Sequence, residues 1–222
     1  EDNANYRMTI KNTVAFSPEV LERFVNFMNN PDEEPAALQF GTTEKYLGNA
    51  VLMVTLPGLP MFGHGQVEGF REKYGMEYAR ARWNEEVDTG LVGLHEYKIF
   101  PLMRRRRLFS GVSRFAFYDF WTPSGHVDEN VFSHSNAVDD ERALVFYNNA
   151  HNFTEGVVHR SVPINRGSQD QARLEQSMLD GALGLECAHD IFYVCREHMS
   201  GKEHLFSSLD LREHGFRTQL GP

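Results

Sequence analysis

Two short polar segments carry the side chains of this sequence that could do chemistry. The first, Asn29–Glu34, follows the apolar run Phe24–Met28 directly. In a parallel barrel, side chains just past the carboxyl ends of the strands converge on the active site. The carboxylate of Asp32 could there stabilise positive charge or act as an acid, base or nucleophile. The alternative is a polar turn that caps the next helix.

The second segment, Gly58–Glu68, contains three glycines around His64. Glycine lets the backbone approach a ligand closely, and the imidazole could donate to a hydroxyl or take part in acid–base chemistry. The alternative is a glycine-rich turn with an exposed histidine. The glycine spacing is not that of a dinucleotide fingerprint, and no Walker-type lysine follows it.

The elements that must position these segments alternate between helix and strand. Ser17–Glu19 has the residues of a helix start, and Pro57-Gly58 is a stop signal. The remaining patterns predict two strands and two helices in the order strand, helix, strand, helix: Phe24–Met28 (buried), Thr43–Leu56, Leu59–Phe62 and Asp88–Arg107, the last divided at Pro101. Arg71–Trp83 is interpreted as helix plus loop. This order predicts parallel strands with helices outside.

After about residue 110 the pattern changes to short β-rich segments between Gly, Pro, Asn and Asp clusters. Strands are predicted at 114–120, 131–134, 143–147, 156–159 and 191–195, and helices at 172–183 and 208–214. This pattern predicts a mainly antiparallel β domain with a helical insertion. We therefore expect two domains, residues 1–110 and 111–222.

Composition narrows the function classes. The chain has 222 residues, a net charge of −9 and two cysteines, which argues against a general nucleic-acid binder and a disulfide scaffold. No apolar run is long enough to span a bilayer, so no membrane partner is predicted. No signal-peptide pattern follows Glu1, which favours a cytoplasmic location. If the chain begins inside a longer protein, the missing pattern says nothing about location.

The two polar segments resemble the seventh and eighth βα units of the α-amylase superfamily. In that family the seventh strand ends in F-x-x-N-H-D, and this sequence has FMNNPD at Phe27–Asp32. The eighth unit carries G-x-P-x-x-x-x-G-x-E, matched here by Gly58, Pro60 and Gly65. The β region that follows resembles the domain appended to the family's barrel. The resemblance covers most of the chain and is specific in its first 80 residues.

The resemblance implies a role for each matched residue. Asp32 would be the third carboxylate of the family, which holds substrate hydroxyls and helps to distort the sugar toward an oxocarbenium-like transition state. Asn30 occupies the asparagine of the motif and would bind substrate. Pro31 replaces the family histidine and Val67 the eighth-unit glutamate, although Glu68 is adjacent. His64 is our candidate for the missing hydroxyl donor.

The resemblance also implies what this chain lacks. The nucleophile and the general acid of the family lie on the fourth and fifth strands, and a whole barrel takes roughly 250 residues. We therefore expect a partial TIM (β/α)8 barrel, its last two βα units, followed by an antiparallel β-sandwich-like domain. The chain would be the C-terminal part of an α-glucan hydrolase or transglycosylase, inactive without the missing barrel segment. The alternative is a non-catalytic carbohydrate-binding or interaction module.

Three other patterns have weaker functional interpretations. Four residues could form a zinc site, although their spacing is not that of a zinc finger: Cys187, His189, Cys195 and His198. Arg104–Arg107 could contact phosphate, or be solvated at a helix end. Tyr74, Tyr78 and Trp83 could form a sugar-stacking platform, or simply pack a loop. We predict no metal and no cofactor.

Overall fold

The structure is a computed structural model that describes residues 2–73, 75, 78–168 and 171–222. Its contacts form two compact units. One, Phe24–Arg106, is called the α/β unit below. The other combines the residues up to Arg23 with Arg107–Pro222 and is called the β-rich unit. The chain therefore has mixed α/β content, with its antiparallel sheets in the β-rich unit.

The α/β unit contains two short strands and several helices, in the predicted order. Its elements are β1 (Val25–Phe27), α2 (Ala36–Phe40), α3 (Glu44–Thr55), β2 (Leu59–Met61), α4 (Thr89–Leu94), a π-helix (His95–Ile99) and α5 (Phe100–Met103). The core of this unit is built mainly from α3 and from the residues just after β1, and it contains Met28, Ala36, Tyr46, Ala50, Met53, Val54, Leu91 and Ile99.

Helix α3 confirms the prediction made for Thr43–Leu56. It ends before Pro57-Gly58, where Gly58 has a φ of 106° that disfavours any residue with a side chain. Arg106 stabilises this end, because its guanidinium donates to the carbonyl of Val54 at 2.7 Å and to that of Gly58 at 2.6 Å. At least Arg106 of the run Arg104–Arg107 therefore stabilises the fold. Burial lowers the pKa of the Arg106 guanidinium.

Strands β1 and β2 pair in parallel, as the helix–strand alternation predicts. The prediction that the first strand is buried is wrong. Four apolar side chains of this sheet region are substantially exposed: Phe24 38%, Val25 46%, Phe27 44% and Leu59 63%. They are exposed because β1 and β2 form a two-stranded sheet, and no third strand of the described chain extends it.

The predicted helix at Asp88–Arg107 is present but divided. Asp88 caps α4 by accepting from the backbone N–H of Leu91 at 3.0 Å. The following turn is the π-helix His95–Ile99, one turn before Pro101. Proline lacks a backbone donor and its ring crowds the carbonyl four residues earlier, which accounts for the irregular turn ahead of it. Helix α6, Arg106–Phe109, follows at the boundary with the β-rich unit.

The β-rich unit consists of small antiparallel sheets. Its elements are α1 (Asn3–Phe16), a 3-10 helix (Pro18–Arg23), β3 (Ala116–Tyr118), β4 (Val131–Val138), β5 (Glu141–Asn148), β6 (Thr154–Val158), β7 (Ile164–Asn165), β8 (Leu174–Glu175), α7 (Leu179–Leu183), β9 (Phe192–Arg196), β10 (Glu203–Ser207), α8 (Ser208–His214) and β11 (Phe216–Leu220). The strands pair in the orders β3-β4-β5, β6-β11, β7-β8 and β9-β10. Phe115, Phe117, Tyr118 and Phe120 are fully buried and supply much of its core.

Helix α1, which the sequence patterns did not predict, is tied to this unit by an arginine. The side chain of Arg7 is completely buried, forms an ion pair with Asp119, and donates from Nε to Glu129 at 2.7 Å. It also donates to the carbonyl of Val131. The sequence patterns predict residues 1–23 to belong to the α/β part, whereas their contacts place the residues up to Arg23 in the β-rich unit. The domain limits 1–110 and 111–222 stay a prediction.

Other local predictions have mixed outcomes. The helix predicted at Ser208–His214 is α8, but most of the helix predicted at 172–183 is absent, because Leu174–Glu175 pairs as β8 with β7 and only α7 is helical. Among the described residues of Arg71–Trp83 there is no helix. None of the helices in the described ranges is long and apolar enough to cross a membrane.

Candidate functional site

The parallel pairing of β1 and β2 brings the two polar segments to the same edge of the sheet. Phe27 pairs with Met61, so the chain leaves both strands at neighbouring positions. The next residues are also adjacent: a Cβ added to Gly63 would lie 2.5 Å from Nδ2 of Asn29. Only glycine fits at position 63 without displacing that amide. The segments that begin at Asn29 and Gly63 therefore lie side by side.

Asp32 lies in a turn held by hydrogen bonds to its backbone. The side-chain oxygen of Asn30 accepts from the N–H of Asp32 at 2.8 Å, and the N–H of Glu33 donates to the carbonyl of Asn30 at 3.1 Å. Nζ of Lys73 donates to the carbonyl of Asp32 at 2.9 Å. The turn leaves Asp32 exposed at the edge where the two segments meet.

His64 is exposed on the neighbouring loop. Its ring lies beside that of Phe70, with 6.4 Å between the ring centroids. The loop is closed by the N–H of Gly63, which donates to Oε1 of Gln66 at 2.9 Å, and by the N–H of Phe70, which donates to the carbonyl of Gly65 at 2.9 Å. These bonds fix the backbone on either side of the imidazole.

A buried polar cluster lies beneath the two segments, and sequence reasoning missed it. Nε2 of Gln66 donates to Sδ of Met28 at 3.3 Å, which links the second loop to the end of β1. The carbonyl of Gln66 accepts from the hydroxyl of Tyr46 at 3.0 Å, and that hydroxyl lies 2.8 Å from Nε2 of His95. We call Tyr46, Gln66 and His95 the support cluster.

The support cluster defines the protonation of His95. The hydroxyl of Tyr46 has one proton and a carbonyl can only accept, so both contacts are satisfied when Nε2–H of His95 donates to the hydroxyl oxygen. Nδ1 then carries a lone pair, and this buried atom has no hydrogen-bond partner among the described residues. Burial lowers the pKa of His95 to about 4, against the opposing charge of Glu68. Burial likewise raises the pKa of Tyr46.

A small cavity of about 220 Å³ opens beside His64. It is lined by His64, Phe70, Glu72, Ala81, Trp83, Asn84 and Glu85. Lys73, next to Glu72, is also the residue that holds the turn of Asp32. Of Tyr78 and Trp83, the two proposed stacking residues that the structure describes, Trp83 is the one that lines this cavity. Tyr78 packs against the guanidinium of Arg82 at 4.8 Å, and Tyr74 lies outside the described residues.

The zinc hypothesis finds no support in the described part of the chain, where no three His, Cys, Asp or Glu side chains could jointly hold a metal ion. Cys195 is exposed on β9, whereas Sγ of Cys187 donates to Asp180 at 3.4 Å. Burial and the adjacent Asp180 carboxylate raise the pKa of the Cys187 thiol. A larger concave surface lies nearby, between α7 and α8, and none of the described residues that line it is aromatic.

Comparisons with known proteins give a structural likeness only. No family model matches the sequence, and no curated protein matches it. Among solved structures, a maltogenic α-amylase AmyB from Thermotoga neapolitana matches with a TM-score of 0.58 at 13% identity, over 99% of this chain and 47% of that one. An α-amylase from Anoxybacillus matches with a TM-score of 0.52 at 14% identity, over 99% and 43%.

The chain therefore has the fold of a part of an α-amylase, and it spans less than half the length of these two proteins. With sequence identities of 13% and 14%, the comparison shows similarity of fold alone. It confirms the resemblance to α-amylases that the sequence motifs indicated.

Proposed function

We propose that this chain is part of an α-glucan-active glycoside hydrolase or transglycosylase of the α-amylase type. It would supply the last two βα units of a TIM barrel, together with an appended β-sandwich-like domain. The observation that carries the proposal is the placement of the Asp32 turn beside the His64 loop, at the ends of two adjacent parallel strands. In a parallel barrel this is the end at which the active site lies.

The exposed strands support a missing barrel segment as partner. Parallel sheets occur almost only where both faces are covered, yet the β1–β2 pair exposes several large apolar side chains, among them Phe27 and Leu59. Two paired strands also leave two open edges. Further βα units would extend the sheet with their strands and cover these groups with their helices and their strands' side chains. The likeness to less than half of each amylase chain is consistent with such a segment.

Each site residue has a proposed role toward an α-glucan. The carboxylate of Asp32 would accept hydrogen bonds from two sugar hydroxyls and stabilise positive charge that develops at the reacting carbon. Oδ1 of Asn30 already holds the turn, so its amide nitrogen is the group that would meet substrate. The imidazole of His64 would donate to a hydroxyl. The nucleophile and the acid of a retaining mechanism, about 5–5.5 Å apart, would come from the missing segment.

The coding sequence upstream of residue 1, or of an adjacent gene, tests the proposal. We expect six further βα units with two acidic residues at strand ends. A stop codon upstream with no partner gene would overturn it. The chain by itself should release no reducing sugar from soluble starch, since it lacks both reacting carboxylates in the proposed mechanism. Hydrolysis above background that persists in Asp32→Ala would contradict the assignment of the site.

The second candidate is a non-catalytic carbohydrate-binding module. The observation that favours it is the separate core of the β-rich unit, in which Phe115, Phe117 and Phe120 are fully buried. Hydrogen exchange with and without maltoheptaose separates the two candidates. The first candidate predicts that the sugar slows backbone amide exchange at residues 29–33 and 63–66. The second predicts that exchange is slowed only within residues 107–222.

A further inference from the structure

One side of the cavity beside His64 is formed by residues 72, 81 and 83–85, whose backbone is held by hydrogen bonds to two carboxylates. The carboxylate of Glu85 accepts from the backbone N–H groups of Arg71 at 2.7 Å and Glu72 at 2.8 Å. The carboxylate of Glu72 in turn accepts from the N–H groups of Arg82 at 2.7 Å and Trp83 at 2.8 Å. These two carboxylates therefore fix four backbone positions. The bond from the N–H of Trp83 to Glu72 holds the backbone of Trp83 beside the cavity.

Trp83 presents a large apolar surface at this fixed position. It is 59% exposed, although it lines a cavity. An exposed indole ring on a pinned backbone keeps most of its area available to a ligand and loses little conformational freedom when one binds. The ring therefore has the properties of a binding platform.

The chemistry of the cavity selects a neutral ring with hydroxyl groups. Glu72 and Glu85 carry negative charge, so an anionic phosphate or carboxylate would be repelled. Oxygens of both carboxylates are already engaged by backbone N–H groups, which weakens their attraction for a metal cation. The volume of about 220 Å³ is smaller than the roughly 300–1,000 Å³ of pockets that bind drug-sized ligands, so one ring fits better than several.

We propose that this cavity binds a single glucosyl unit of an α-glucan, with one face of the sugar on the indole of Trp83 and its hydroxyls toward His64 and Asn84. A glucosyl ring has apolar C–H groups on its faces and hydroxyls around its edge, which matches an apolar wall with a polar rim. The inference rests on the proposed function and extends it, because the chain would then hold a sugar beside the Asp32 turn, at a second site.

The two tryptophans of the chain provide a direct test. Trp83 is the sole tryptophan of the Trp121→Phe variant, and Trp121, itself 46% exposed, is the sole one of Trp83→Phe. We expect maltose to change the emission of the Trp121→Phe protein in a saturable way and to protect it from acrylamide. The Trp83→Phe protein should show neither effect. Sorbitol, which has hydroxyls but no ring face, should have no effect on either protein.

Calorimetry with maltoheptaose separates this inference from the proposed function. Trp83→Ala should weaken binding by at least about tenfold, because the ring face loses its apolar partner, and Trp83→Phe should recover part of the loss. Circular dichroism checks that both variants fold. Wild-type affinity in Trp83→Ala, or an equal response to sorbitol, would overturn the glucosyl site and leave the proposed function standing. Absence of binding to the wild-type chain would also overturn the glucosyl site, whereas the proposed function fails when the upstream or adjacent coding sequence lacks the further βα units.

Discussion

The α/β unit should lose stability at acid pH, because the buried His95 stays neutral while the same histidine in the unfolded chain takes up a proton. Lowering the pH from about 7 to about 4 protonates a histidine in the unfolded chain before it protonates His95, whose pKa is lowered from 6.5 to about 4 by burial. The stabilisation is therefore fully present above about pH 6.5 and is lost as the pH falls toward 4. Each pH unit corresponds to about 1.4 kcal/mol, so the total loss is about 3 kcal/mol.

Urea unfolding measured across this pH range provides the assay. His95→Gln keeps a donor for the hydroxyl of Tyr46 but does not titrate. Between about pH 7 and about pH 4, the free energy of unfolding of this variant should therefore decrease by about 3 kcal/mol less than that of the wild type. His151→Gln, at an exposed position, should follow the wild type. Parallel pH profiles for the wild type and His95→Gln would refute the argument that His95 is held neutral in the fold.

Two further predictions concern packing and ion pairing. Arg7→Met should lower the free energy of unfolding by about 3 kcal/mol, since it removes the bonds of a fully buried guanidinium to Asp119, Glu129 and the Val131 carbonyl. Lys11→Met should cost less because it removes one ion pair of a partly exposed side chain, and equal losses in urea would contradict this. Gly63→Ala should cost about 1–3 kcal/mol by displacing Asn29, whereas Gly93→Ala has space around it and should be neutral or stabilising. A melting temperature for Gly63→Ala at or above the wild-type value would contradict the close approach.

The sequence predicted those features that depend on local pattern. Helix α3 has a continuous apolar run and a Pro-Gly stop, and the structure begins and ends it within a residue of the prediction. The proximity of the Asn29 and Gly63 segments follows from the rule that parallel strands end at one edge. The helix is specified by neighbouring residues, and the proximity follows once two consecutive parallel strands have been recognised from their local patterns.

Features that depend on distant contacts could not be predicted in this way. Helix α1 buries only Ile10 and Val14 beside Arg7, which is too short an apolar stripe to predict a helix, and the partner of Arg7, Asp119, is far along the sequence. Within the helix predicted at 172–183, Leu174–Glu175 form β8 instead, and Oδ1 of Asn165 on β7 accepts from the N–H of Arg173 next to this strand. The support cluster likewise joins Tyr46 to a residue 49 positions away.

The most direct test of the proposed site is the affinity of the chain for maltoheptaose in two matched variants. Asp32 and Glu33 are adjacent and both exposed, so Asp32→Ala and Glu33→Ala remove the same charge from the same turn. A hydrogen bond to a charged group contributes about 1.5–3 kcal/mol, so Asp32→Ala should weaken binding by roughly 10–100-fold. Glu33→Ala should leave the affinity unchanged. Equal affinities in all three proteins, or no binding to any of them, would contradict the proposal that Asp32 holds a sugar.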